Sequence, residues 1–398
     1  MTQVATFPDA APAERSLSGH IPALDGIRGI AITLVLVNNL YPGYPDGFVD
    51  RLFYIASNAG WVGVDLFFVL SGFLITGILW DTKHREHYFK NFYARRFLRI
   101  FPLYYGFLVV WSLFAPRLFP DPARIQSWHD SQLWYWTYLA NVRIALHGPG
   151  LLEPGSFWSL AVEEQFYLFW PLIVLYADRR RLVKICGTMI LAAFAVRLGC
   201  RWLDASRQMG EAVYVLTPAR MDALAVGALL AILARSRDGL RRLTRWAKPV
   251  FPAALLSLAI MFIVRKGLIA NDVVVQTAGY SLVALAGGAG LILAVAAQPG
   301  TRVAAFVTHP ALVAMGRYSY GIYVWHVVSR LSWLWPFVQR PPKVLGYEFP
   351  AAIAIWFCLS AVAVLIAVVS WHGYERAFLK LKEHFPYDRR SAPLPRAA

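Results

Sequence analysis

Charge is scarce in this sequence. Acidic and basic side chains make up 16% of 398 residues, where soluble domains carry about 25%. Cysteine is scarcer still, with Cys186, Cys200 and Cys358 the three in the chain. They lie in or at the edge of apolar stretches, without metal-ligand or redox spacing. That excludes a disulfide scaffold and a thiolate metal site, and leaves them as small apolar residues. No internal repeat and no low-complexity stretch divides the chain, so it reads as one domain. Residues 1–20 lack the apolar core of a cleavable signal peptide, so the first apolar run is expected to stay as a membrane anchor.

What is abundant is apolar surface. Hydrophobic residues reach 58% and the mean hydropathy is +0.48, above the roughly 45–50% apolar content of soluble chains. A span needs about 20 apolar residues to cross about 30 Å of hydrocarbon. Ten runs qualify, at 24–41, 61–80, 97–115, 157–177, 183–203, 212–234, 249–265, 275–297, 311–334 and 350–371. The fold class is therefore an all-α, polytopic membrane bundle of about ten helices. The net charge of +16 falls mainly between the runs, which marks a charged membrane face rather than a nucleic-acid site.

Lys and Arg in the short loops orient the bundle. Segments 81–99, 178–184 and 235–248 are basic and are placed in the cytoplasm. An even number of spans must then separate the first two. The stretch LWYWTYLANVRIAL (133–146), short and carrying Asn141 and Arg143, is accordingly read as an interfacial or re-entrant piece outside, its aromatics in the headgroup belt. Both termini fall in the cytoplasm. Arg265-Lys266 and Arg340/Lys343 stand against the bias, in outer loops. The expected division is a polar segment 1–21, a transmembrane domain 22–375 and a basic tail 376–398.

A charge in hydrocarbon costs at least about 2.5–3.5 kcal/mol on insertion scales, so ionisable residues within spans are candidates for function. Sorted by depth, Asn39, Asp65, Glu163, Glu164, Arg220, Asp222 and His326 form an outer set, and Arg28, Arg95, Arg96 and Arg99 an inner one. Trp158 and Ser159 open the span of the glutamates and are placed with Arg220 and Asp222 on an acceptor side. Arginine forks match phosphate oxygens, so the inner set suits a phosphate-rich donor. Each assignment has a plainer alternative. Arg95, Arg96 and Arg99 can mark topology alone, Arg28 can form a local pair with Asp25, one glutamate can partner Arg220, and Trp158 can be an interface anchor.

Six stretches carry a resemblance: LDGIRGIAITLVLV (24–37), GWVGVDLFFVLSGFLIT (60–76), ARRFLRIFPLYY (94–105), FWSLAVEEQFYLFWPL (157–172), TPARMDALAVGALLA (217–231) and GRYSYGIYVWH (316–326). In order and spacing the sequence resembles the membrane-bound acyltransferase-3 family, bacterial O-acetyltransferases of polysaccharides and other glycans, over nearly all of residues 22–375. The resemblance implies about ten spans in the bacterial inner membrane. It implies transfer of an acyl group, commonly acetyl, from cytoplasmic acyl-CoA to a hydroxyl of a glycan or lipid-linked saccharide outside, with no bound cofactor or metal. It assigns Arg28, Arg96 and Arg99 to the donor and Glu163 and Glu164 to a shared motif. Without an evident C-terminal hydrolase-type domain, the chain is expected to be a stand-alone form.

One position departs from the family pattern. Where the family carries a histidine, ten intervening residues after Arg28, this chain has Asn39. An imidazole can take a proton from an attacking hydroxyl near neutrality, and an amide has no basic nitrogen. Either Glu163, Glu164, Asp65 or His326 serves as base, or Asn39 orients substrate in altered chemistry, or the protein is an impaired or non-enzymatic relative that binds or transports a ligand.

Overall fold

The computed structural model describes residues 20–42, 47–204, 206–329 and 341–387. In chain order its helices are α1 (Pro22–Leu40), α2 (Phe48–Ser57), α3 (Val62–Thr82), α4 (Tyr88–Leu118), α5 (Pro122–Trp136), α6 (Ala140–His147), α7 (Trp158–Tyr176) and α8 (Arg179–Leu203). There follow α9 (Arg207–Val215), α10 (Thr217–Ala234), α11 (Gly239–Arg265), α12 (Tyr280–Ala296), α13 (Arg302–Val307), α14 (Pro310–Ser329), α15 (Phe349–Ser370) and α16 (Arg376–Lys380). Among the described residues there is no strand, only an isolated bridge between Val344 and Tyr347. The protein is an all-α membrane bundle.

Each of the ten apolar runs is helical over most of its described residues; 330–334 of the ninth lie outside them. Among the described residues, eight helical stretches are long and apolar enough to cross a membrane. The two runs that fall short are α7 and α14, and these carry Glu163 and Glu164, and Arg317 and His326. Their lower hydropathy comes from these polar groups, of which His326 is buried and the glutamates are partly buried.

Several boundaries differ from the expected ones. The basic stretch 81–99 is mostly helix, because α3 runs to Thr82 and α4 starts at Tyr88 and runs for 31 residues. At 1.5 Å per residue that is about 46 Å, longer than the hydrocarbon is thick, so its arginines ride on a rigid rod. The run 212–234 is broken at Leu216, with Pro218 in the first turn of α10, where a missing N–H costs nothing. The stretch 133–146 is not a bare interfacial piece. It bends at Tyr138, whose φ is 56°, between α5 and α6, and Tyr135 and Asn141 are buried within the protein.

Small residues set the packing, as expected where lipid removes the hydrophobic drive between helices. A Cβ on Gly72 of α3 would lie 2.0 Å from the Leu224 carbonyl oxygen of α10. One on Gly227 would lie 2.0 Å from that of Val69. The two glycines thus permit one reciprocal close approach. On the other side of α1, a Cβ on Gly316 of α14 would lie 1.8 Å from the Asp25 carbonyl oxygen. Helices α1, α3, α10 and α12 form the centre, while α8, α11 and α15 turn Leu191, Leu256, Ile263 and Phe357 outward, the surface a lipid phase requires.

The basic loops meet at one end of the bundle. Arg235 pairs with Asp81 at 2.7 Å, Arg179 Nη2 donates to the Arg235 carbonyl at 2.9 Å, and Lys83 Nζ donates to that of Ala177 at 2.7 Å. At the far end, Trp61 Nε1 donates to the Leu268 carbonyl at 2.8 Å.

Candidate functional site

Three cavities follow one another along the bundle. At the basic end a vestibule of about 410 Å³ is lined by Arg28, Arg95, Arg96, Arg99, Arg317 and Lys382, with Asp25 and His20 at its edge. It shares Arg28, Phe67, Ser71, Arg96 and Arg99 with a middle cavity of about 110 Å³, onto which Glu163 and Glu164 also face. The middle cavity shares Val64 and Tyr323 with a far cavity of about 500 Å³, which holds Asn38, Asn39 and His326. Arg28 and Asn39 are eleven residues apart on α1, about 16 Å along the axis. One helix therefore marks both ends of the string.

In the vestibule, Arg28 Nη1 lies 2.7 Å from Asp25 Oδ1, the local pair that their spacing allows. Asp25 Oδ2 is also 2.6 Å from His20 Nε2. Arg96 and Arg99 project from the same face of α4. The Arg96 guanidinium stands 4.3 Å from the Tyr167 ring centre and that of Arg99 5.6 Å from the Trp371 ring. These stacks fix planar cations without neutralising them. In the middle cavity Ser71 Oγ donates to Glu163 Oε1 at 2.5 Å. Both glutamates thus lie with the arginines, not with the outer set of Asn39 and His326.

The neck between the middle and far cavities is Tyr323. Its hydroxyl donates to the Ser156 carbonyl at 2.8 Å and meets Ser159 Oγ at 2.5 Å. Beyond it, His326 is 1% exposed, and its Nδ1 is 2.6 Å from the Tyr323 carbonyl oxygen. A carbonyl only accepts, so Nδ1 carries the proton and Nε2 is the basic nitrogen of the neutral ring. Asn39 Nδ2 donates to the Val35 carbonyl at 3.0 Å, and its carboxamide borders the same cavity. Trp158 borders it as well, as part of an aromatic wall with Trp61 and Tyr214.

Asp65, Arg220 and Asp222 line none of these three cavities. Arg220 Nη2 is 2.8 Å from Asp65 Oδ2, with both side chains at most 2% exposed. Asp222 Oδ2 pairs at 2.8 Å with Arg197 Nη2, so Arg220 has Asp65 as its partner and not a glutamate. The Arg220 guanidinium is 4.0 Å from the Tyr280 ring centre and 5.6 Å from that of Trp158. These pairs lie behind the aromatic wall and tie α3, α8, α10 and α12 together.

Lining residues to which the sequence assigns no role include Ser71, Tyr323, Lys382 and Tyr387. Ser71 stands inside a quoted motif, so a signal was there. Nothing local marks Lys382 and Tyr387, which reach the vestibule only through tertiary folding. Among the described residues no group of three His, Cys, Asp or Glu side chains could hold a metal ion.

The profile of a family described as an acyltransferase domain matches residues 21–372. The chain is 28% identical over 381 residues to the peptidoglycan O-acetyltransferase OatA of Listeria monocytogenes, covering 91% of this chain and 56% of that protein. A Staphylococcus aureus protein provisionally named an O-acetyltransferase is 27% identical over 377 residues, 91% of this chain and 58% of its own length. Bacillus subtilis YrhL, provisionally named a peptidoglycan O-acetyltransferase, is 28% identical over 378 residues, 90% of this chain and 54% of its own. The chain thus spans little more than half the length of these relatives. No solved structure matches it. With the family profile running through the helices that bear the arginines, the glutamates and Asn39, the chain belongs to the acyltransferase-3 family.

Proposed function

We propose that the protein transfers a short acyl group, commonly acetyl, from cytoplasmic acyl-CoA to a hydroxyl of an envelope glycan or lipid-linked saccharide on the outer face. The string of cavities carries this reading, since it joins a cation-rich vestibule at the basic end to an aromatic-walled cavity at the far end. The basic loops support a cytoplasmic vestibule. The donor's phosphates would pair with Arg28, Arg96 and Arg99, and its thioester arm would enter the middle cavity. At about 110 Å³, with one water needing at least about 10–15 Å³ by this measure, that cavity has room for an acetyl group. The names of the relatives, OatA above all, support peptidoglycan as the acceptor class.

In the far cavity the acceptor hydroxyl oxygen attacks the thioester carbonyl carbon as its proton passes to Nε2 of His326. The tetrahedral intermediate collapses, the carbon–sulfur bond breaks, and the thiolate recovers a proton as the imidazolium is discharged. The products are an ester and a free thiol. Asn39 orients the acceptor by hydrogen bonds, the part open to an amide. Glu163, held by Ser71, and Glu164 are the alternative bases, on the donor side of the neck. Asp65 is the weakest candidate, because Arg220 already engages it.

The test is thioester turnover by purified protein with acetyl-CoA and glycan acceptors, in parallel with His326→Gln, Glu163→Gln, Glu164→Gln and Asn39→His. Loss of a positioned base lowers the rate about 10²–10⁴-fold, and His326→Gln is expected to show it. If the parent protein cleaves no thioester with any acceptor while Asn39→His does, the chain is an impaired relative and the active-enzyme reading fails.

A further inference from the structure

The family profile ends at residue 372, and beyond it the described residues continue through α16 and a short turn, Leu381–His384, to residue 387. This segment folds back against α4. Asn91 Nδ2 donates to the Pro386 carbonyl at 2.8 Å. Arg95 Nη1 donates to the carbonyls of Lys382, at 3.0 Å, and Phe385, at 3.1 Å. The Arg95 guanidinium also stands 4.6 Å from the Tyr387 ring centre. Arg95 therefore acts as a clamp, although its neighbour Arg96 serves the cavity. The clamped segment delivers Lys382 and Tyr387 to the wall of the vestibule, beside Arg28, Arg96, Arg99 and Arg317.

Charge balance shows what this wall is for. Of the vestibule's lining residues Asp25 is the one carboxylate, and it is engaged by Arg28 and His20. No ion pair reaches Arg96, Arg99, Arg317 or Lys382 among the described residues. With Glu163 and Glu164 near Arg96 and Glu375 near Arg99 as the other carboxylates in range, cations remain in excess around the recess, and an anion of several charges would relieve their repulsion. Of these four cations, three are planar forks suited to phosphate oxygens, and the fourth is a mobile ammonium that can follow a phosphate as a point charge.

We propose that residues 381–387 form one wall of the donor site, with Lys382 pairing to a phosphate of a nucleotide-bearing thioester and Tyr387 closing the recess around it. This rests on the vestibule being the donor site, as proposed above. Phosphate is also the chemistry of an anionic lipid headgroup, which would reach the same end of the bundle. The experiment therefore uses the full chain in nanodiscs of zwitterionic lipid alone and with anionic lipid added, with acetyl-CoA as donor and free CoA as binding probe. Lys382→Ala is expected to raise the donor KM and the CoA Kd about tenfold, the size of one charge-assisted hydrogen bond. The acceptor KM and kcat should stay within about twofold by the same reasoning, since uniform binding is what is lost. Lys382→Arg should restore most of the loss, and Tyr387→Ala should act in the same direction.

Unchanged donor KM in Lys382→Ala and Tyr387→Ala, with the parent turning over, overturns this inference alone. So does higher activity in either variant, which would make the segment an inhibitory plug. A CoA affinity indifferent to Lys382 but a lipid dependence that vanishes with it assigns the wall to headgroups and overturns the inference too. No CoA binding and no thioester cleavage by the parent in either lipid overturns the donor-site reading along with it.

Discussion

Removing Asp65 should destabilise the protein more than removing Asp65 and Arg220 together. The two side chains meet at 2.8 Å with 1% and 2% exposure. Arg220 Nε and Nη1 already have no hydrogen-bond partner, so the carboxylate is the main compensation for that guanidinium. Breaking a buried pair by removing one partner costs about 3–5 kcal/mol, whereas replacing both by apolar groups of similar volume is often neutral. Double replacement also forfeits the Tyr280 contact at 4.0 Å, about 0.5–2 kcal/mol. With an unfolding entropy of about 2.1 cal/mol/K per residue and 398 residues, the whole chain has about 0.8 kcal/mol/K. Asp65→Leu should then lower Tm by about 4–6 °C, and Asp65→Leu with Arg220→Met by about half that or less. Thermal unfolding followed with a thiol-reactive dye reads this in a Cys200→Ser, Cys358→Ser background, because Cys186 is buried in the folded state while Cys200 is partly exposed and Cys358 exposed. Additive losses in the two single variants and the double would show that the pair is not coupled, and the reasoning would fail.

Other outcomes follow from the same geometry. Tyr323→Trp should fill the neck between the middle and far cavities. Acetyl-CoA binding should persist and transfer to acceptor fall by at least about tenfold; equal loss of both would place the block elsewhere. Arg96→Ala with Arg99→Ala should abolish saturable CoA binding in an equilibrium assay, while a charge-preserving Lys pair should recover only part of it, since the fork is lost. Gly72→Val should be poorly folded by size-exclusion profile, because its Cβ would meet the Leu224 oxygen at 2.0 Å and overpacking costs about 1–3 kcal/mol or more. A monodisperse, fully active Gly72→Val would contradict the close α3–α10 approach.

Much of the architecture is written in local pattern. An apolar run of span length has little choice but to become a helix in lipid, where every backbone polar group must be satisfied within the segment. That is why the ten runs and the observed helices agree to within a few residues at most ends. The disagreements arise where the constraint lapses. Tyr88–Arg96 is helical beyond the apolar run, Leu216 breaks a span where Pro218 begins the next helix, and α5 and α6 bury Tyr135 and Asn141 within the protein.

The candidate site was legible in residue type and only partly in grouping. Depth along a helix gives one coordinate, and it placed Asn39, His326, Asp65, Glu163 and Glu164 in one set. Which face each helix turns to which neighbour gives the others. In three dimensions Glu163 joins Ser71 and the arginines, His326 joins Asn39, and Asp65 is engaged by Arg220 behind a wall of Trp158 and Tyr214.

By itself, then, the sequence determined that the chain is a helical membrane protein, where its spans lie, and that an amide, Asn39, stands eleven positions after Arg28, where the family resemblance leads one to expect an imidazole. Those are matters of composition and order. Only the tertiary structure decided which polar groups face a cavity and which neutralise one another. It also decided that a segment beyond the last span returns to the vestibule through Arg95. Both depend on contacts between residues far apart in the chain, such as the 155 positions between Asp65 and Arg220, and helix rotation and close glycine packing set those contacts.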